Sequence, residues 1–162
     1  MVKKDGAAVM KHDERRILLF EQNDKEQVIM AARHMAARAG FDEVNQFLIA
    51  TAASELATNI VNYAKKGDII LRIVQRDKRL GIEIIAHDDG PGIRDIEQAM
   101  QDNFSTTKGS LGLGLPSVKR IMDEFKIESQ RGRGTVVSAR KWSSYVKSGL
   151  PPGKASAHTE RS

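Results

Sequence analysis

The sequence predicts an α+β domain, on three observations. Two pairs of apolar, alternating segments, 68–75 with 80–87 and 126–130 with 135–142, are each joined by a short polar turn, as antiparallel hairpins are. Two neighbouring segments, 24–39 and 42–64, repeat their apolar residues at helical spacing. Strands and helices therefore come in blocks rather than in strict alternation. At 162 residues, 40% hydrophobic and 29% charged, the chain is sized for one domain with a substantial core.

Taken in order, residues 1–12 read as a flexible lead. Arg15-Arg16-Ile17-Leu18-Leu19-Phe20-Glu21 is a first strand, its apolar run bounded by charge. Asn23 or Asp24 can cap a helix with Glu26 in the first turn. Val28, Ile29, Ala32, Met35 and Ala36 then keep helical spacing until Gly40 ends it. A second helix starts near Asp42 and runs to about Ala64. Its apolar face is Val44, Phe47, Leu48, Thr51, Ala52, Leu56, Ile60 and Tyr63. Lys65-Lys66-Gly67 breaks it. The two central strands follow, joined by Arg76-Asp77-Lys78-Arg79, and then a short helix through Ile96, Ala99 and Met100. Residues 102–111 form a polar, mobile loop that runs into Gly112-Leu113-Gly114-Leu115-Pro116. Val118, Ile121, Met122 and Phe125 continue at helical spacing. Arg131-Gly132-Arg133-Gly134 is the turn of the last hairpin. The folded domain is thus expected over 13–142, with 143–162, which holds Pro151-Pro152-Gly153, as a disordered polar tail.

Composition narrows the chemistry. Without Cys there is no disulfide framework and no thiolate metal site, and the four His (His12, His34, His87, His158) lack ligand spacing. No apolar run has the ~18–20 residues of a membrane span. The lysines near the N-terminus precede no apolar run, so no secretory signal is expected and the cytoplasm is the expected compartment. The net charge of +5 invites nucleic acid as a partner, but its placement argues against one. Lys3, Lys4 and Lys11 against Asp5, and Lys147, Lys154 and Arg161 against Glu160, put the excess in the two ends rather than in one patch.

Three stretches carry chemistry. Asp88-Asp89-Gly90-Pro91-Gly92-Ile93 follows a strand. Its Asp can accept from an amino group, and its glycines let a flat ring approach the backbone, although the same dipeptides also mark ordinary turns. Glu55 and Asn59, four apart in Ser54-Glu55-Leu56-Ala57-Thr58-Asn59, project from one side of the second helix. They can hold a hard cation or a water, or simply hydrogen-bond to each other. Gly112–Gly114 ends a loop at a helix N-terminus, where free N–H groups and the helix dipole make a phosphate seat. Lys108 could add a charge there, and Pro116 suits the first turn. The alternative is a plain flexible linker. The Walker A spacing is absent.

In this order, Ser-Glu-Leu-x-x-Asn, Asp-x-Gly-Pro-Gly-Ile, Gly-Leu-Gly-Leu and Gly-Thr resemble the N, G1, G2 and G3 boxes of the GHKL ATPase superfamily. Within it, the small size and the absence of a phosphoacceptor domain are similar to the bacterial anti-sigma and stressosome switch serine/threonine kinases. The resemblance covers roughly 13–142. It implies the Bergerat ATP-binding fold: a mixed, mainly antiparallel sheet, helices layered on one face, and a mobile ATP lid over 102–114. It implies ATP and Mg²⁺ as cofactors. Asp88 would receive the adenine amino group, with Gly90, Gly92, Ile93 and Thr135 supporting the adenine end. Asn59 would ligate Mg²⁺, and Thr107, Lys108, Gly112, Leu113 and Gly114 would lie near the phosphates. Glu55 would be the catalytic residue that orients or deprotonates the acceptor hydroxyl. The implied partners are STAS-domain scaffold or antagonist proteins, with a PP2C-type phosphatase or signalling enzyme engaged after release. The alternative role is an anti-sigma factor that sequesters a sigma factor and phosphorylates its antagonist. His87 stands where the switch kinases often carry an acid.

Overall fold

The protein is described by a computed structural model that covers residues 6–101 and 114–146. Five strands form one sheet: β1 (Ala8–Leu19), β2 (Gly67–Arg76), β3 (Arg79–Asp88), β4 (Glu124–Gln130) and β5 (Gly134–Val146). Their order is β1-β2-β3-β5-β4, and all four pairings are antiparallel. Both expected hairpins form, and β3 joins β5 to unite them. In the first, Arg76 pairs with Arg79, and Asp77 takes the positive φ that so tight a turn demands.

Both edges of the domain lie beyond the expected limits. β1 begins at Ala8, so residues 8–12 are strand rather than flexible lead, with a register shift between Val9 and Glu14. β5 passes Trp142 and continues to Val146, which pairs with Arg79, so Ser143–Val146 are not tail. Backbone pairing to β2 and β3 extends these strands, and ladder hydrogen bonds leave no trace in an apolar pattern.

Alternate strand residues, among them Ile17, Leu19, Ile69, Leu71, Ile84 and Ala139, are buried in one core with the helices. α1 (Asp24–Arg38) and α2 (Glu43–Asn59) pack against each other, and both bury alanines: Ala31, Ala32 and Ala36 on α1, and Ala50, Ala53 and Ala57 among those buried on α2. Small side chains bring helix axes close. This also corrects the expected face of α2. Val44 and Phe47 are 68% and 63% exposed, and Tyr63 is exposed as well, while Ile49, the alanines and Leu56 are buried. Asp42 caps α2, its carboxylate accepting from Asn45 N at 2.8 Å. α1 is secured differently. Asn23 makes no side-chain cap, and instead Asp24 accepts from the backbone N–H of Phe20 and Glu21, donors that hold its carboxyl below the ordinary range. α3 (Ile96–Ala99) is a single turn, and α4 (Gly114–Ile121) packs on α2.

The other sheet face carries a row of alternating charge. Glu14, Arg72, Glu83, Arg140 and Glu124 are cross-strand neighbours on β1, β2, β3, β5 and β4. Arg140 Nε donates to Glu83 Oε2 at 2.6 Å, and Arg72 Nη1 to Glu83 Oε1 at 3.4 Å. Trp142 closes the row, with Arg76 4.5 Å above its ring and its indole N–H on Glu124. No helix among the described residues is long and apolar enough to cross a membrane.

Candidate functional site

A cavity of about 290 Å³ opens between the C-terminal ends of α2 and β3, the 91–94 segment and the start of α4. Its walls are largely apolar: Leu56, Ile60, Ala86, Leu115 and Val137 come from five different elements. A few polar groups converge on it, as in pockets that bind small molecules.

Asp88 ends β3 on the helix side of the sheet and lines the cavity. Its Oδ1 accepts from Gly90 N at 2.9 Å. Burial pushes its carboxyl above the ordinary range, against the opposing pull of the Gly90 and Thr135 backbone N–H groups and the nearby His87. Gly90 allows close approach, because a Cβ there would lie 2.6 Å from Ala64 Cβ. Gly92, at φ +78, lies under the β4–β5 turn, where a Cβ would meet Gln130 O at 2.4 Å. Ile93 and Thr135 also line the cavity, and Thr135 sits opposite Asp88 in the β3–β5 ladder.

The second group gathers at the start of α4. A Cβ on Gly114 would lie 3.3 Å from Asn59 Oδ1 and 3.4 Å from Glu55 Oε2. Both side chains therefore face the N-terminus of α4, and Asn59 also lines the cavity. The Glu55–Asn59 hydrogen bond that their spacing allows is not formed. Neither side chain has a hydrogen-bond partner among the described residues. Just past Asn59 the chain takes one π turn, Ile60–Ala64, and Lys65 has φ +70. Tyr63 and Ala64 thereby reach the cavity wall.

The predicted residues thus divide in three. Asp88, Gly92, Ile93, Thr135, Asn59 and Gly114 line the cavity, while Gly90 and Glu55 stand beside it. Thr107, Lys108, Gly112 and Leu113, with residues 102–113 of the lid expected over 102–114, lie outside the described residues. Sequence reasoning missed Tyr63, Arg94, Leu115 and Pro116 as wall residues. His87, noted in the sequence as a departure from the family pattern, has its ring between Asp68 (Nδ1–Oδ1 3.0 Å) and Asp89 (Nε2–Oδ1 3.5 Å).

Residues 20–141 match the histidine kinase-like ATPase domain. The serine/threonine-protein kinase RsbT of Bacillus subtilis is 53% identical over 111 residues, 68% of this chain and 82% of that one. The anti-sigma F factor of Caldanaerobacter subterraneus is 39% identical over 99 residues, 58% and 68% of the two chains. Among solved structures, a mycobacterial sensor histidine kinase, MprB, aligns with 80% of this chain and 97% of its own, at TM-score 0.50 and 17% identity. That last likeness is one of fold.

Proposed function

The chain belongs to the histidine kinase-like ATPase domain family, and we propose that it works as an RsbT-type serine/threonine-protein kinase on STAS-domain proteins. ATP enters the cavity with its adenine amino group toward Asp88 and its phosphates toward the N-terminus of α4. The acceptor hydroxyl approaches beside Glu55, which orients it or takes its proton. The hydroxyl oxygen bonds to the γ-phosphorus as the bond to the bridging oxygen of ADP breaks. Catalysis of this kind is mostly positioning and charge neutralisation.

One observation carries the reading. Glu55 and Asn59, both without a hydrogen-bond partner among the described residues, converge on Gly114 at a helix start, and Asn59 and Gly114 line the same cavity as Asp88. A donor set of one carboxamide oxygen and a neighbouring carboxylate fits Mg²⁺, which takes few protein ligands and completes its shell with phosphate and water. Asn59 would hold the ion, and bound Mg²⁺ would neutralise phosphate charge. Thr107, Lys108, Gly112 and Leu113 belong to the same phosphate site in this reading. The working unit spans 8–146 and acts in the cytoplasm, in a partner-switching cascade of bacterial stress signalling. Loss of the kinase from its STAS partner frees it for a PP2C-type phosphatase or a similar enzyme.

Incubation of the full chain with Mg-ATP and STAS-domain proteins tests this, with mass spectrometry reading phosphoserine or phosphothreonine on the partner. Absence of phosphotransfer to every STAS protein tried, with ATP bound, contradicts the substrate class. A second reading, sequestration of a sigma factor, is favoured by the 39% identity to an anti-sigma F factor. Retention of a sigma factor rather than a STAS protein in a pull-down selects it.

A further inference from the structure

The hairpin that closes the sheet grips the Asp88–Ile93 loop. Gly132 N donates to Pro91 O at 2.9 Å, Gly92 lies against Gln130 O, and a Cβ on Gly134 would meet Asp88 O at 2.0 Å. These contacts are all backbone. The side chain that bridges the two is Ser129, on β4 opposite Thr135. Its Oγ accepts from Ile93 N at 2.7 Å, and it lies 2.8 Å from Thr135 Oγ1 and 3.2 Å from Gly134 O.

A hydroxyl has one proton to give. With the Ile93 N–H on one lone pair, the Ser129 proton has two acceptors in reach, Thr135 Oγ1 and Gly134 O. The 2.8 Å contact has the usual length of an O–H···O bond, and the 3.2 Å contact is long for one. If Ser129 donates to Thr135, the proton of Thr135 is left for the cavity that Thr135 lines. The reverse sense leaves Thr135 facing the cavity as an acceptor. The choice matters for a purine. Adenine sets an acceptor ring nitrogen beside its amino donor, and guanine sets a ring N–H beside its carbonyl acceptor. Asp88 supplies the acceptor for an amino group, so the neighbouring group must donate, directly or through a water.

We propose that Ser129 is a positioning residue for nucleotide selection: its hydroxyl ties the Asp88–Ile93 loop to the hairpin and turns Thr135 into a donor toward the base. The proposal rests on the nucleotide reading of the cavity. No role for Ser129 was legible in the sequence, although Ile127-Glu128-Ser129 is part of the family resemblance, because its partners lie 36 positions back and six ahead.

The test is calorimetric titration of the full chain with ATP and with GTP in Mg²⁺, for wild type, Ser129→Ala and Ser129→Thr, alongside phosphotransfer kinetics. Ser129→Ala is expected to weaken ATP about threefold to tenfold, the worth of one neutral hydrogen bond, and to narrow the preference for ATP over GTP. The maximal rate at saturating ATP should stay within about twofold of wild type, and Ser129→Thr, which keeps the hydroxyl, should restore ATP affinity. ATP affinity unchanged in Ser129→Ala overturns the proposal. So does a loss that Ser129→Thr fails to restore, which would mark a packing role. Wild type that binds neither nucleotide overturns the nucleotide reading itself, and the proposal with it.

Discussion

Strand β3 carries two carboxylates with opposite surroundings. Glu83 points to the face without helices, is 1% exposed, and has an oxygen on each of Arg140 and Arg72. Asp88 ends the same strand on the helix face and faces a cavity, with backbone N–H groups and, among the described residues, no side-chain donor to its carboxylate. Glu83 is compensated within the fold, so its charge serves structure. Asp88 retains acceptor capacity and bears the cost of burial, which raises its carboxyl above the ordinary range. Glu55 is of the second kind: it has no hydrogen-bond partner among the described residues and faces the start of α4. Under the proposed function, Glu83 serves the sheet, and Asp88 and Glu55 are the acids that a ligand would meet.

Substitution should separate the two kinds. Glu55→Ala should bind ATP normally yet transfer phosphate about 10²–10⁴-fold more slowly, the usual loss of a positioned acid–base group. Wild-type turnover in a steady-state assay would remove Glu55 from the mechanism. Glu83→Ala should do the reverse. It removes the 2.6 Å carboxylate partner of Arg140, which is 7% exposed, and should lower stability by about 3–5 kcal/mol in urea unfolding. A loss of under ~1 kcal/mol would show that the charge row is dispensable.

Asp88 also makes a prediction about pH. Its folded pKa is raised, so it protonates at a higher pH than an ordinary aspartate, near 3.9. ATP affinity should decline as pH falls through that raised value, because the ionised acceptor is lost. The ligand-free protein should behave oppositely at this group, since protonation removes the cost of a buried charge and stability rises as pH falls. Titrations at stepped pH should show the decline in wild type and its absence in Asp88→Asn. The smallest effect concerns the edges of the domain. Ending the chain after Val146 should leave melting and ATP binding unchanged, whereas ending it after Trp142 removes β5 pairing and should lower the melting temperature.

What the sequence disclosed follows from which forces leave a pattern. Alternation marked β2, β3 and the last hairpin, because one face of each strand meets the core. Helical spacing put Glu55 and Asn59 on one side of α2, and Asp88 at a strand end. Backbone pairing leaves no such trace, so the start of β1 at Ala8 and the end of β5 at Val146 were missed. Val44 and Phe47 fit the helical period yet stand in solvent, because the face that α2 buries holds Ile49, Leu56 and its alanines instead. The roles of Ser129 and Leu115 depend on contacts between distant segments, which spacing along the chain does not encode.

The central claim is that Asp88 is reserved for the base of a nucleotide rather than for the fold. Calorimetric titration of Mg-ATP into Asp88→Asn tests it most directly, with a thermal melt of the same sample. ATP affinity should fall on the order of 100-fold, as expected for a lost hydrogen bond to an ionised acceptor, while the protein melts no lower than wild type. Wild-type affinity in that variant, or loss of binding only together with loss of the fold, would contradict it.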